Sequence, residues 1–327
     1  MTKVEASTTC IPAEPLPQNL RSVQPGGGAC YQIELAWGRL RRWYLRTFRP
    51  GYVRWMAALR HGSSEGAPHS ILDPRDLKYC RNVCLCDWDE REDPFRWRER
   101  LPFARWGLAE LQLMSYPLIA IAVLGGWFHW LLAVPPLVVC GLVVWFFRDP
   151  PRRVPTEPGL LVSPADGVIA EITRLEHDDF IGGPAVRIGI FLSIFNVHIN
   201  RSPAAARVIR LRYFPGQFLN ALNPESTLRN ENLWIGLEES EPPYRRLVVR
   251  QIAGLFARRI VCNLRSDERI ARGHKFGMIK LGSRTELICA DDPALEIRVL
   301  VNEKVKAGST ILASYKPPLG ESETTHA

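Results

Sequence analysis

Three residues in the second half of the chain are of types that together activate a hydroxyl. They are Asp166 in the turn-like stretch SPADG (163 to 167), His198 in the apolar run FLSIFNVHINRSP (191 to 203), and Ser283 directly after Gly282. A carboxylate that fixes an imidazole tautomer, an imidazole that takes a hydroxyl proton and a hydroxyl that attacks a carbonyl form a nucleophile, base and orienter set. Each also has a plain structural reading: Asp between Pro and Gly fills turns, a His in an apolar strand is a satisfied core residue, and Gly-Ser is a common turn. Gly282 lets another group approach its carbonyl closely, and Ser283 carries its hydroxyl beside that same peptide. The surrounding Leu281-Gly-Ser-Arg284 lacks the G-x-S-x-G of a nucleophile elbow, which argues against an α/β-hydrolase.

The elements around these residues read as short strands. After Arg148 to Pro155, β-branched runs such as GLLVSPADGVIAEI, AVRIGIFLSIFNVHI, RRLVVRQIAGLFARRIVC, KFGMIKLG and ALEIRVLVN alternate with polar breaks. A pattern of Glu, basic, β-branched, two residues and Gly occurs at 268 to 273 and again at 303 to 308, offset by 35 positions. A turn duplicated before a strand predicts two interlocking β-hairpins of the barrel-sandwich kind.

Upstream, Leu111 to Phe147 is a run of 37 residues without Asp, Glu, Lys or Arg. It exceeds what one crossing of a hydrocarbon core needs, and Gly125-Gly126 and Pro135-Pro136 interrupt it. The expected form is a membrane-associated helical hairpin with one arm too short to cross, re-entrant or confined to one leaflet, with a single kinked span and a buried remainder as the rival. Trp127, Trp130 and Trp145 and the following Arg148, Arg152 and Arg153 serve as interface anchors, which places the next domain on the cytoplasmic side of the cell membrane. Residues 37 to 60 interleave Arg with Trp, Tyr, Phe and Leu, split by Pro50-Gly51 into two helical pieces. This suits a bilayer surface, with nucleic acid as the competing partner. Residues 1 to 30 read as a tail.

With 327 residues, 42 Lys and Arg against 34 Asp and Glu, and a pI near 9.2, the chain is a globular protein with an anionic partner. Its eight Cys are expected as thiols, and the cluster Cys80, Cys84 and Cys86 lacks a C-x2-C knuckle, so no metal is expected. The fold class is therefore α+β. The expected divisions are an N-terminal extension (1–100), membrane-anchoring helices (101–150), a β-rich catalytic domain (151–320) and a tail (321–327).

The motifs SPADG, IFLSIFNVHINRSP, QIAGLFARRI and GHKFGMIKLGSR, in this order after a hydrophobic hairpin, resemble the phosphatidylserine decarboxylase proenzymes over about residues 101 to 316. The resemblance implies self-cleavage between Gly282 and Ser283, giving chains 1–282 and 283–327. It makes Ser283 the precursor of a covalent pyruvoyl cofactor, His198 the base and Asp166 its partner. It further implies that phosphatidylserine in the bilayer is decarboxylated to phosphatidylethanolamine through a pyruvoyl Schiff base, and a membrane-bound homodimer is in keeping with the family. Two positions depart from the pattern of some members: Arg284 stands where LGST has Thr, and Phe195 where a second His precedes the catalytic one by three residues. The competing readings are a membrane-tethered lipoyl- or biotinyl-type carrier, for which Met278-Ile-Lys280-Leu is a poor match to the carrier's lysine tip, and a nucleic-acid-binding membrane protein.

Overall fold

A computed structural model describes residues 11–15, 28–62, 86–89, 91–220, 223, 225–255, 260–279 and 283–316. Two N-terminal helices, α1 (Gly28–Phe48) and α2 (Pro50–Ala58), meet at Arg49, with Pro50 in the first turn of α2, where a missing N–H costs nothing. A two-rung ladder joins β1 (His61–Gly62) to β2 (Cys86–Asp87). Cys80 and Cys84 lie outside the described residues. Of the expected tail, residues 11–15 lie against the β-rich part of the chain: the Glu14 amide donates to the Ile209 carbonyl (2.8 Å), and its carboxylate pairs with Arg210 and Arg212.

The apolar run forms the hairpin. Helix α3 (Leu108–Phe128) is 21 residues, about 31 Å long, and α4 (Val134–Phe146) is 13 residues, about 20 Å. Among the described residues only α3 is long and apolar enough to cross a membrane. The turn falls between the two interruptions. His129 leaves the helix in an extended conformation, and its Nδ1 accepts from the Leu131 amide, starting a single 3-10 turn, Trp130–Ala133. Pro135 and Pro136 sit in the first turn of α4, where they do not break it. Gly125-Gly126 stays helical and serves close packing, since a Cβ on Gly125 would meet Leu132 at 3.1 Å.

The remaining strands are β3 (Leu160–Val162), β4 (Gly167–Asp178), β5 (Gly183–Leu192), β6 (Ile199–Arg201), β7 (Ala206–Phe214), β8 (Asn232–Glu239) and β9 (Arg246–Ile252). They continue as β10 (Ile260–Cys262), β11 (Arg269–Ile270), β12 (Lys275–Ile279), β13 (Ser283–Ala290), β14 (Leu295–Ile297), β15 (Lys304–Val305) and β16 (Ile311–Tyr315). Eight of them form one antiparallel sheet, β11-β7-β8-β9-β13-β5-β4-β15, flanked by the three-stranded sheets β10-β12-β6 and β14-β16-β3. The architecture is α+β, as the sequence implies.

The order of the large sheet is the same read from either edge once β11, β7, β8 and β9 are matched to β15, β4, β5 and β13. The two small sheets match likewise, so the domain consists of two halves related by a pseudo-twofold axis between β9 and β13. Register agrees in detail. The amide of Val162 donates to the Pro203 carbonyl (2.9 Å) while Arg201 donates to that of Pro164 (3.0 Å). Bulges recur at Ile169/Glu171 and Val208/Arg210. The duplicated Glu…Gly turns are the visible mark of this symmetry. They form the opposite edges of the sheet, and Gly273 and Gly308, both with φ above +70°, donate to the carbonyls of Ser202 and Ser163 (2.8 Å each).

The core fills the face carrying Leu192, Leu287, Val249 and Ile235. A second cluster joins Leu111, Val143, Phe146 and Phe147 of the hairpin to Val197, Ile199, Val261 and Met278, so the hairpin is seated on the β-rich part of the chain rather than tethered to it.

Candidate active site

Ser283 opens β13 with its backbone opposite Leu192, the last residue of β5. It is fully buried, and its Oγ has no hydrogen-bond partner among the described residues. A buried hydroxyl without a partner is uncommon in native structures and points to chemistry or an occupant. Gly282 lies outside the described residues.

His198 follows the loop that leaves β5 at Leu192. The loop ends against β12, the strand that precedes Ser283 in the chain: Met278 pairs with Ile199 and the Ile279 amide reaches the His198 carbonyl (3.4 Å). The ring is buried, lies 4.5 Å from that of Phe146, and its Nδ1 is 2.9 Å from the Asn196 carbonyl oxygen. A carbonyl only accepts, so Nδ1 carries the hydrogen and Nε2 the lone pair. Burial, reinforced by the nearby positive charge of Arg148, pushes the imidazole down to about 4, which keeps it neutral and able to take a proton at physiological pH.

Asp166 sits just before Gly167, where any Cβ would collide with the Phe191 carbonyl oxygen at 2.2 Å; this Gly lets β4 close onto β5 at the level of Ser283. Arg152 Nη2 donates to both carboxylate oxygens (2.9 and 2.7 Å), and the Ala307 amide donates to Oδ1 (2.8 Å). All three residues thus gather at one end of β4, β5 and β13, but these contacts engage Asp166 with Arg152 and His198 with Asn196.

Asn200 connects the parts. Its Nδ2 donates to Thr285 Oγ1 (3.0 Å) and to the Pro164 carbonyl (3.3 Å), and its Oδ1 accepts from Gln251 (2.8 Å). It therefore ties the turn carrying Asp166 to the strand carrying Ser283. Sequence reasoning passed over Asn200, although its place two residues after His198 in a strand puts both on one face. Arg148 fastens the hairpin to the His198 loop by donating to the Phe195 carbonyl (2.9 Å). Phe195, standing where some relatives have a His, has an exposed side chain. Arg284 points away from the core and pairs with Glu171 (2.6 Å) and Glu286 (3.0 Å), which accounts for an Arg beside the buried Ser.

Fold and site together define a β domain that carries an apolar helical hairpin and is built around a buried serine that begins a central strand, with a neutral imidazole on the adjoining loop. A family profile described as phosphatidylserine decarboxylase matches residues 140–313. The chain belongs to the phosphatidylserine decarboxylase family. It is 55% identical over 240 residues to a phosphatidylserine decarboxylase proenzyme of Rhodopirellula baltica, covering 73% of this chain and 99% of that one. It is 37% identical over 226 residues to the proenzyme of Syntrophus aciditrophicus (69% and 100%), and 41% over 189 residues to that of Nitrosomonas eutropha (57% and 84%). The carrier alternative gains no support, since Met278 is buried in β12 rather than exposed at a hairpin tip.

Proposed function

We propose that this chain is a self-processing decarboxylase that converts phosphatidylserine to phosphatidylethanolamine and carbon dioxide. The observation that carries the reading is the buried, unpartnered hydroxyl of Ser283 at the start of β13, with His198 on the loop beside it. His198 Nε2 takes the hydroxyl proton, Ser283 Oγ attacks the Gly282 carbonyl, and the proton passes to the departing amide nitrogen, turning the amide into an ester. Elimination and hydrolysis then leave a ketone at residue 283. Asp166 acts through its ion pair with Arg152, holding the end of β4 against β5 and balancing the arginines near His198.

The residues present fit a pyruvoyl group, because its precursor is already buried at a site whose polar atom lacks a partner. That group supplies a carbonyl that bonds the substrate amine and draws off the electrons released with carbon dioxide.

Membrane attachment follows from the hairpin, whose Trp127, Phe128 and Trp130 are 87%, 82% and 68% exposed, and from exposed Ile194 and Phe195 on the His198 loop itself. Ile194 and Phe195 adjoin the site, whereas the hairpin tip lies at the far end of α4, about 20 Å from the Phe146 that packs on His198; anchoring through both holds the site within reach of a bilayer headgroup. Arg148, Arg152 and Arg153 after the hairpin favour the cytoplasmic face of the cell membrane. A cavity of about 360 Å³ at the hairpin base, lined by Arg98, Arg105, Arg201, His274 and Lys275 as well as Asp149 and Glu99, suits an anionic headgroup.

Intact-mass measurement of the purified chain tests the reading. Two fragments are expected, 1–282 and a blocked 283–327, with Ser283→Ala remaining whole. A parent chain that stays uncut, with phosphatidylserine unchanged, would overturn it.

A further inference from the structure

Glu231 lies on the same row of the sheet as Ser283. Arg284 pairs with Ile252, so the next rung places Ala253 beside Ser283, and the Ala253 amide donates to the Glu231 carbonyl (2.9 Å). The row runs Leu192, Ser283, Ala253, Glu231, which sets the Glu231 backbone about 10 Å from that of Ser283 at ordinary strand spacing. Residues opposite one another in antiparallel strands share a face, and Leu192 and Ala253 both belong to the central core. Ala253, with only a methyl side chain, is the residue between them on that row.

The Glu231 side chain is fully buried and forms no ion pair among the described residues, with the Tyr213 hydroxyl beside it; Gln251, two rungs further along, carries another buried polar group on the same face. A carboxyl without a counter-charge is costly to bury, by about 1–3 kcal/mol or more. Nothing in the packing of the core requires one here. His198 lies on the loop that leaves β5, whereas Glu231 lies beyond β9, on the other side of Ser283 along the row.

Self-cleavage removes two different protons from residue 283. The first belongs to the hydroxyl and is taken by His198. The second is on Cα: as it leaves, the Cα=Cβ bond forms, the Cβ–O bond breaks and Gly282 departs as a carboxylate. The enamine at 283 then becomes an imine, and water adds as ammonia leaves. A C–H proton needs a stronger base than a hydroxyl polarised for attack. His198, held near 4, is a weak one, whereas burial pushes the Glu231 carboxyl up to about 7 beside the Tyr213 hydroxyl.

We propose that Glu231 is the base that takes the Cα proton of residue 283 in the elimination step. The assignment rests on Ser283 being the cleavage residue, as argued above.

The test uses the full chain purified in detergent. Glu231→Gln is expected to stall after ester formation: the chain stays whole, yet neutral hydroxylamine splits it between 282 and 283. His198→Ala forms no ester, so it stays whole and resists hydroxylamine. Glu231→Asp is expected to cleave about 100-fold more slowly than the parent, with the hydroxylamine-labile form building up first. Cleavage of Glu231→Gln at the parental rate, or a folded Glu231→Gln chain inert to hydroxylamine, would overturn the proposal. Should Glu231→Gln fail to fold, Glu231→Asp decides: parental cleavage with no labile intermediate overturns it as well. A parent chain that never separates at 282/283 removes the underlying reading instead.

Discussion

Asn200 Nδ2 donates to Thr285 Oγ1 across 3.0 Å, and through this bond the His198 strand and the Ser283 strand keep a fixed spacing. Asn200→Ala removes a group with three partners; the Gln251 amide keeps Val261 (3.3 Å) and the Pro164 carbonyl keeps the Arg201 amide (3.0 Å), but Thr285 Oγ1 loses its tie across the dry interior. At about 1–3 kcal/mol for such a loss, the fragment 283–327 should form roughly 10-fold more slowly or worse. A gel time course follows this directly. An unchanged rate would mean that Asn200 does not position the reacting groups.

Acidity should affect the two proton transfers separately. His198 titrates in the fold near 4, below its unfolded value, under the influence of burial and the Arg148 charge, with Asn196 and Phe146 as its other neighbours. It remains a base down to that point, so ester formation at pH 5, trapped with hydroxylamine, is expected to run close to its rate at pH 7. An imidazole of ordinary pKa would already have lost most of it. The same shift means that stability is present in full above about 6.5 and is withdrawn as pH falls toward 4, which thermal melting at stepped pH will register. A tenfold drop in ester formation between pH 7 and 5 would contradict this assignment.

Asp166 and Arg152 form a nearly solvent-free pair, so removing one partner strands the other. Either Asp166→Asn or Arg152→Met should lower stability by about 3–5 kcal/mol and slow cleavage, while the double variant should recover much of the stability. Thermal denaturation of the four proteins gives the coupling. Purely additive losses would show that the pair does not act as a unit.

The hairpin tip should govern partition onto bilayers. Replacing Trp127, Phe128 and Trp130 with Ser removes three exposed aromatics that each contribute about 1.5–3 kcal/mol when buried in an apolar phase. Co-sedimentation with anionic vesicles should fall at least 100-fold, with cleavage in detergent unaffected, since none of the three touches the site. Undiminished sedimentation would assign attachment to another surface.

Much of this architecture was legible in the chain. The hairpin, the α+β class and the β runs around Asp166 and His198 and up to Gly282 follow from hydropathy and β-branching, whereas β13 itself was not among the runs read; the Glu…Gly repeat marked two matching turns, which lie at opposite edges of one sheet rather than in interlocking hairpins. Strands β7 and β8 were harder to see. Arg207, Arg210 and Arg212 interrupt β7, and the bulge at Val208/Arg210 breaks its alternation, so its buried face is Ala206, Val208, Leu211 and Tyr213 rather than every second residue. The turn of the hairpin was misjudged for a local reason: Gly125-Gly126 reads as a break but serves close approach, and the break is made by His129. Partners across space, such as Arg152 for Asp166 and Glu231 across Ala253 from Ser283, leave no mark in local spacing.

Strand β13 lies in the middle of the eight-stranded sheet, zipped to β5 on one side and to β9 on the other. The 45 residues from Ser283 onward also supply β14, β15 and β16, without which one of the two symmetric halves would be open. Cutting before Ser283 therefore frees a terminus without freeing a subunit. Under the proposed reading the small piece would be a structural insert whose exit would open the domain, so the cleaved protein is expected to denature as one cooperative body and not to be rebuilt by mixing parts that have each folded alone.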